Sequence, residues 1–204
     1  MSRVLLRLAV PALLGVLVGC DQPPTQEIAA AEAAVAAADK ADAATYAPER
    51  LQTARAALEQ ARQRVAARDY RGALSAANDA SEKARAAAKS AEAAKRLAES
   101  AAALARNEAQ IALDEIPPIK EEAQKARIPD EAFAATEAEV VTAQALILRV
   151  DEALQKADFL AAQKEGEAAK ALASTLPDKF RQARADWEAA HPPKRAKGRP
   201  AKKG

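Results

Sequence analysis

Residues 69–115 read DYRGALSAANDASEKARAAAKSAEAAKRLAESAAALARNEAQIALDE, a stretch with no proline and one early glycine, Gly72. Within it Ala73, Ala77, Ala80, Ala84, Ala87, Ala91, Ala94, Ala98, Ala101 and Ala105 follow one another at unbroken 4,3 spacing. Alanine is the strongest helix former. Small residues recurring every 3.5 positions draw one narrow seam along a helix, as in a coiled coil. Alanine knobs let two backbones approach near the low end of the usual interaxial range, about 8 Å. The stretch therefore predicts a single rod of roughly 70 Å at 1.5 Å per residue.

The rest of the chain has the same character. Alanine supplies 60 of the 204 residues and aromatics only 3%, so a large core around a deep substrate pocket is not expected. The body is rich in Ala, Glu, Lys, Arg and Leu, the composition of long helices. Only Gly72 and Gly166 lie between residues 21 and 190, which leaves nothing for β-turns or phosphate-binding loops.

Upstream of the ladder, a helix from Pro48 to a break at Arg68-Asp69 carries Leu51, Ala54, Leu58, Ala61 and Val65 at the same spacing, with Pro48 near its first turn. A weaker stripe, Ile28, Ala31, Val35 and Ala38, predicts a first helix over about 25–44. Asp69 is placed to cap the long rod. Downstream, Ile116-Pro117-Pro118 stops it, and a short helix over about 118–126 leads to Pro129. The next stripe, Phe133, Thr136, Val140, Ala143, Ile147, Val150, Leu154 and Ala157, has the bulkiest side chains of the body. A last one runs Ala162, Gly166, Ala169, Ala173, Leu176, Phe180, Ala183, Trp187 and Ala190 in one phase across Pro177. It predicts one helix bent at that proline or two stacked end to end. Residues 67–73 and 156–162 echo each other, each opening a helix with an Asp-aromatic pair, Asp69-Tyr70 and Asp158-Phe159. The expected fold is all-α: an elongated, coiled-coil-like bundle over 27–190 with alanine-rich seams, built from antiparallel helical hairpins over about 48–115 and 129–190.

The first 19 residues read as an address. Arg3 and Arg7 precede an apolar run from Leu8 to Val18 that is too short to span a membrane. The segment Leu17-Val18-Gly19-Cys20 resembles the bacterial lipoprotein box, and Cys20 is the only cysteine, with no disulfide partner. That resemblance implies cleavage before Cys20 and acylation there, palmitate included, with residues 20–26 as the lipidated cysteine and a polar spacer. Several acyl chains, at about 0.8 kcal/mol per buried CH₂, hold a protein stably at a membrane. Asp21 followed by Gln22 resembles the inner-membrane retention signal of enteric-type lipoproteins, which implies the inner membrane over the outer.

Charge divides the body from the end. Of the 31 Lys and Arg, two lie in the leader and six in the last eleven residues, which leaves 23 against 29 acids and a net −6 over residues 21–190. Lys194, Arg195, Lys197, Arg199, Lys202 and Lys203 form a basic tail, interrupted by Pro193, Gly198 and Pro200, so residues 191–204 are expected to be disordered. Gly198-Arg199-Pro200 resembles the core of the AT-hook, which inserts arginine into the minor groove of A·T-rich DNA. Lys197 stands where that motif has an arginine, and the leader directs the chain away from DNA, so nucleic acid is not the expected partner. Anionic lipid headgroups or wall polymers suit both charge and compartment; the alternative is a solubilising end with no partner.

Tyr46-Ala47-Pro48-Glu49, the alanine ladder and Arg68-Asp69-Tyr70-Arg71-Gly72-Ala73 resemble an alanine-rich helical domain of unknown function found in proteobacterial envelope lipoproteins. The resemblance covers about residues 25–95. It implies an envelope protein; the OmpA-like domain that sometimes accompanies such domains is not in this chain, so peptidoglycan binding by that route does not transfer. Chemistry is sparse. The one histidine, His191, borders the tail, and Glu121-Glu122 and Glu137/Glu139 alternate with bases as solvated helix faces do. Trp187 and Phe180, seven apart, read as seam packing. No catalytic, cofactor or metal site is expected. The expectation is a lipid-anchored, periplasm-facing scaffold or interaction module with an unidentified envelope protein partner, or a polyanion binder acting through the tail. The oligomeric state stays open.

Overall fold

The computed structural model describes residues 22–192. Every regular element among them is helical: α1 (Thr25–Lys40), α2 (Ala43–Tyr46), α3 (Pro48–Ala66), α4 (Tyr70–Asp114), α5 (Ile116–Lys125), α6 (Ala134–Gln155), α7 (Phe159–Ala173) and α8 (Leu176–Ala190), with a 3-10 turn over Asp130–Phe133. The expected all-α bundle is the fold of the chain.

The alanine-ladder helix α4 is the spine. Its 45 residues span about 67 Å. α1, α2 and α3 pack on its first half, α6 and α7 on its second. Ion pairs fix the directions. Arg55–Asp39 (2.6 Å) and Arg62–Glu32 (2.7 Å) step in opposite senses along α3 and α1, so these two are antiparallel. Lys170–Glu108 (2.6 Å) and the approach of Gly166 to Ala102 and Ala105 step in the same sense along α7 and α4, so these two are parallel. Each half is thus an up-down-up three-helix unit, and α4 is a member of both. The hairpin read over 48–115 is α3 with α4, and the helices of the segment read over 129–190 pack on the second half of that same α4.

The two cores differ in substance. The proximal one is alanine-built: Ala31, Ala38, Ala54, Ala80, Ala84, Ala87 and Ala91, all fully buried, with Val35, Leu51 and Leu58 as its larger pieces. The distal core holds Leu113, Ile116, Ile119, Ile128, Phe133, Ile147, Leu176 and Phe180. Bulky side chains remove more apolar area per residue, so the distal core carries more of the burial energy.

The seam on α4 follows the 4,3 ladder from Ala73 to Ala91 and then drifts. Ala94 and Ala101 are only half-buried, while Ala102, Ala105, Ala109 and Leu113 line the distal contact. A straight helix has 3.6 residues per turn, so a strict 3.5-residue pattern rotates off its contact by about 20° per heptad. The hand-over from the proximal helices to α7 absorbs that rotation. Leucine at Ala87, buried against the proximal core, is expected to cost about 1–3 kcal/mol by overpacking, whereas Ala93→Leu, at an exposed position, shifts the melting temperature little. Equal melting shifts for the two variants would exclude this register.

One boundary departs from the sequence reading, and at Pro177 one of the two expected arrangements holds. The first helix ends at Lys40, because Asp42 takes a left-handed conformation (φ 59°) before the short α2. Across Pro177 there are two helices, with Pro177 in the first turn of α8, where its missing N–H costs nothing. The echoed segments share one geometry. Arg68 and Ala157 adopt positive φ (59° and 56°), and the following Asp69 and Asp158 donate their backbone N–H to Arg64 and Ala153 carbonyls, each at 2.9 Å. This is a Schellman stop. The same two aspartates then cap the next helix, Oδ1 accepting from Gly72 N (2.9 Å) and Ala161 N (3.1 Å). Ile128 closes a third such stop on Ala123, with Arg127 at φ 61°.

Candidate functional site

Cys20 and Lys194, Arg195, Lys197, Arg199, Lys202 and Lys203 lie outside the described residues. The structure does locate the points from which those segments continue. Gln22 to Glu27 surround a shallow groove of about 580 Å³ together with Tyr70, Arg71 and Leu74. The first described residues thus sit at the N-terminal end of α4.

The other end is built by prolines. α5 opens on Ile116-Pro117-Pro118 directly after α4, and α8 opens on Leu176-Pro177 shortly after α7. Phe180 is fully buried and stacks on Phe133 at 5.4 Å between centroids. This pins α8 across the 3-10 turn and against α5, past the C-terminus of α4. Arg184 donates to Glu122 (2.9 Å) and Glu188 (3.0 Å), and Arg181 to Asp178 (2.7 Å) and Glu115 (3.4 Å). Ala190, the last helical residue, therefore lies at the end opposite Gln22.

Between α5 and α8 lies an open groove of about 590 Å³, lined by Ile119, Glu115, Glu122, Glu188, Arg181 and Arg184. Both guanidiniums are engaged by two carboxylates each. Hydrogen bonds donated by Arg181 to Asp178 and by Arg184 to Glu188 raise both pKa values above the ordinary arginine value. A raised base favours the protonated fold at every pH below its unfolded pKa, so these contacts are constant across neutral pH and fade only in strong alkali. The same holds for Arg106, whose bidentate bond to Asp151 (2.8 and 3.1 Å) ties α4 to α6.

The acidic pairs noted in the sequence are dispersed among cations. Glu121 bridges Lys125 (2.8 Å), Glu122 bridges Arg184, Glu137 meets Lys120, and Glu139 meets Lys179. Glu108 contacts Lys170 at 2.6 Å without hydrogen-bond geometry at its buried Oε2, so the pair is held by charge. Among the described residues no His, Cys, Asp or Glu group has the arrangement of a metal site. No helix among them is long and apolar enough to cross a membrane. Phe180 is core, as its seam position implied. Trp187 is half-buried and stacks on the exposed His191 at 4.4 Å, whose Nδ1 lies 3.0 Å from the Trp187 carbonyl. The opposition of the two ends is not written in any motif; the proline placements at 117 and 177 were its sequence signal. No family model, curated protein or solved structure matches this chain.

Proposed function

We propose that this chain is a non-enzymatic bacterial envelope lipoprotein, anchored through Cys20 and facing the periplasm from the inner membrane, that acts as a helical scaffold or interaction module. The observation that supports this reading is the separation of its ends. Gln22, two residues after Cys20, lies at the N-terminal end of α4, and Ala190 lies beyond its C-terminal end, about 67 Å away or more. A rod anchored at one end presents its sides and tip to a partner protein. Arg55, Arg62, Arg106, Lys170, Lys179 and Arg184 each pair with a carboxylate on another helix, which suits a spacer. Cys20→Ala is expected to abolish palmitate labelling and release the protein from membranes in fractionation. Labelling equal to the parent's would overturn the anchor.

A second reading, polyanion binding by the tail, draws on the same separation. Electrostatic attraction decays over a Debye length of about 8 Å at physiological salt. A tail starting at Ala190 is therefore out of range of the bilayer beneath an upright rod, and a wall polymer becomes its favoured partner. A soluble form of residues 21–204 is expected to bind anionic wall polymer at low salt and release it as salt rises, while a form ending at Ala190 does not bind. Identical behaviour of the two forms makes the tail a solubilising end. Preference for A·T-rich duplex over other polyanions of equal charge density would overturn the compartment instead.

A further inference from the structure

The side of α4 turned away from both cores changes character along its length. In the proximal half it carries Glu82 and Lys89. In the distal half Leu97, Leu104 and Ile111 stand on it at seven-residue spacing, 72%, 60% and 63% exposed. The positions between them on that side, Ser100, Ala103 and Asn107, are uncharged. Of the charged residues in this stretch, Arg106 is committed to Asp151 and Glu108 to Lys170, and Glu99 lies on the opposite flank. Single exposed leucines are ordinary. A heptad line of three at this exposure has the composition of an interface core, and Glu115 and Asp178, the charges beside Ile111, are paired with Arg181.

We propose that two copies of this chain pair antiparallel through this stripe, about a two-fold axis at Leu104. Leu104 then faces the partner's Leu104, and Leu97 faces the partner's Ile111. A line of apolar knobs with uniform spacing is self-complementary under such an axis. Charge selects the orientation. Arg96, 80% exposed and loosely paired with Glu92 at 3.9 Å, stands at one end of the stripe, and Asp114 stands at the other. Antiparallel pairing brings Arg96 to within two residues of the partner's Asp114, about 3 Å along the axis and within reach of the long arginine side chain. Parallel pairing instead sets Glu82, Lys89 and Arg96 against their own like charges. Three exposed apolar side chains are too few to supply the area of an obligate dimer, so pairing depends on concentration. The inference goes beyond the proposed function and requires neither anchor nor tail.

The test uses residues 21–204, which retain every described helix and contain no cysteine. Light scattering is expected to show a reversible monomer–dimer equilibrium. Leu104→Glu places like charges on the axis and weakens it by about tenfold or more, with helicity and melting temperature unchanged because the site is exposed. Under mild oxidation Leu104→Cys cross-links to itself, and Leu97→Cys cross-links to Ile111→Cys when the two variants are mixed but not to itself. A monomer at every concentration up to about 1 mM overturns the proposal. A dimer untouched by Leu104→Glu, or self-linking of Leu97→Cys, overturns it equally.

Discussion

Replacing Phe180 with alanine is expected to destabilise the protein by about 3–5 kcal/mol, the cost of emptying a large site in a packed interior. Phe180 has no exposed surface, stacks on Phe133 and sits among Leu176, Ile119 and Ile128. The hole cannot close easily, since the helices around it are pinned by Arg184–Glu122 and by Lys179–Glu139. The loss falls on the distal unit. Hydrogen exchange is expected to show protection lost first in α5 and α8, while α1 and α3 keep theirs. Equal loss in α1 and α3 would mean that the shared α4 couples both cores into one unit.

Gly166→Leu is expected to cost about 3 kcal/mol, the upper end of overpacking. A Cβ built on Gly166 already lies 3.3 Å from the Ala102 carbonyl oxygen and 3.3 Å from the Ala105 Cβ. The backbone oxygen cannot swing aside, so the three further carbons of leucine push α7 off α4. Gly166→Ala is the instructive control. The gain of about 1 kcal/mol in helix propensity is offset by the tight contact, leaving a near-zero net change in thermal melting. A well-tolerated leucine would show that α7 does not approach the spine this closely.

The helices and most of their buried stripes were legible because periodicity is local. Leu51, Ala54, Leu58 and Ala61 are buried as their spacing implied, as are Ala162, Gly166, Ala169 and Ala173. Asp69 caps α4, and Pro177 opens α8 in the phase of the helix before it. What was not legible depends on partners. Nothing local says that α4 serves two units, and the seam beyond Ala98 moved to Ala102 and Ala109 because its contact changed from the proximal helices to α7. The stop at Asp42 was hidden because helix-forming alanines lie on both sides of it. Leu97, Leu104 and Ile111 were visible as a seven-residue series, but beside a ten-member alanine ladder on the same helix their solvent side could not be told from a core side. For the candidate site, the sequence supplied the expected anchor and tail; only the fold shows that Gln22 and Ala190 lie at opposite ends.

The sharing of α4 also sets an order of assembly. Members of the proximal core all lie between Ala31 and Ala91. A chain delivered from its N-terminus therefore has that unit complete before Phe133 and Phe180, the aromatic pieces of the other, have emerged. Closing contacts between near neighbours is fast, because little loop entropy is lost before the contacts form. The half-built intermediate offers the second half of α4 as a ready template. Each later helix then docks on a surface already formed, so the protein can grow along its own spine as it arrives.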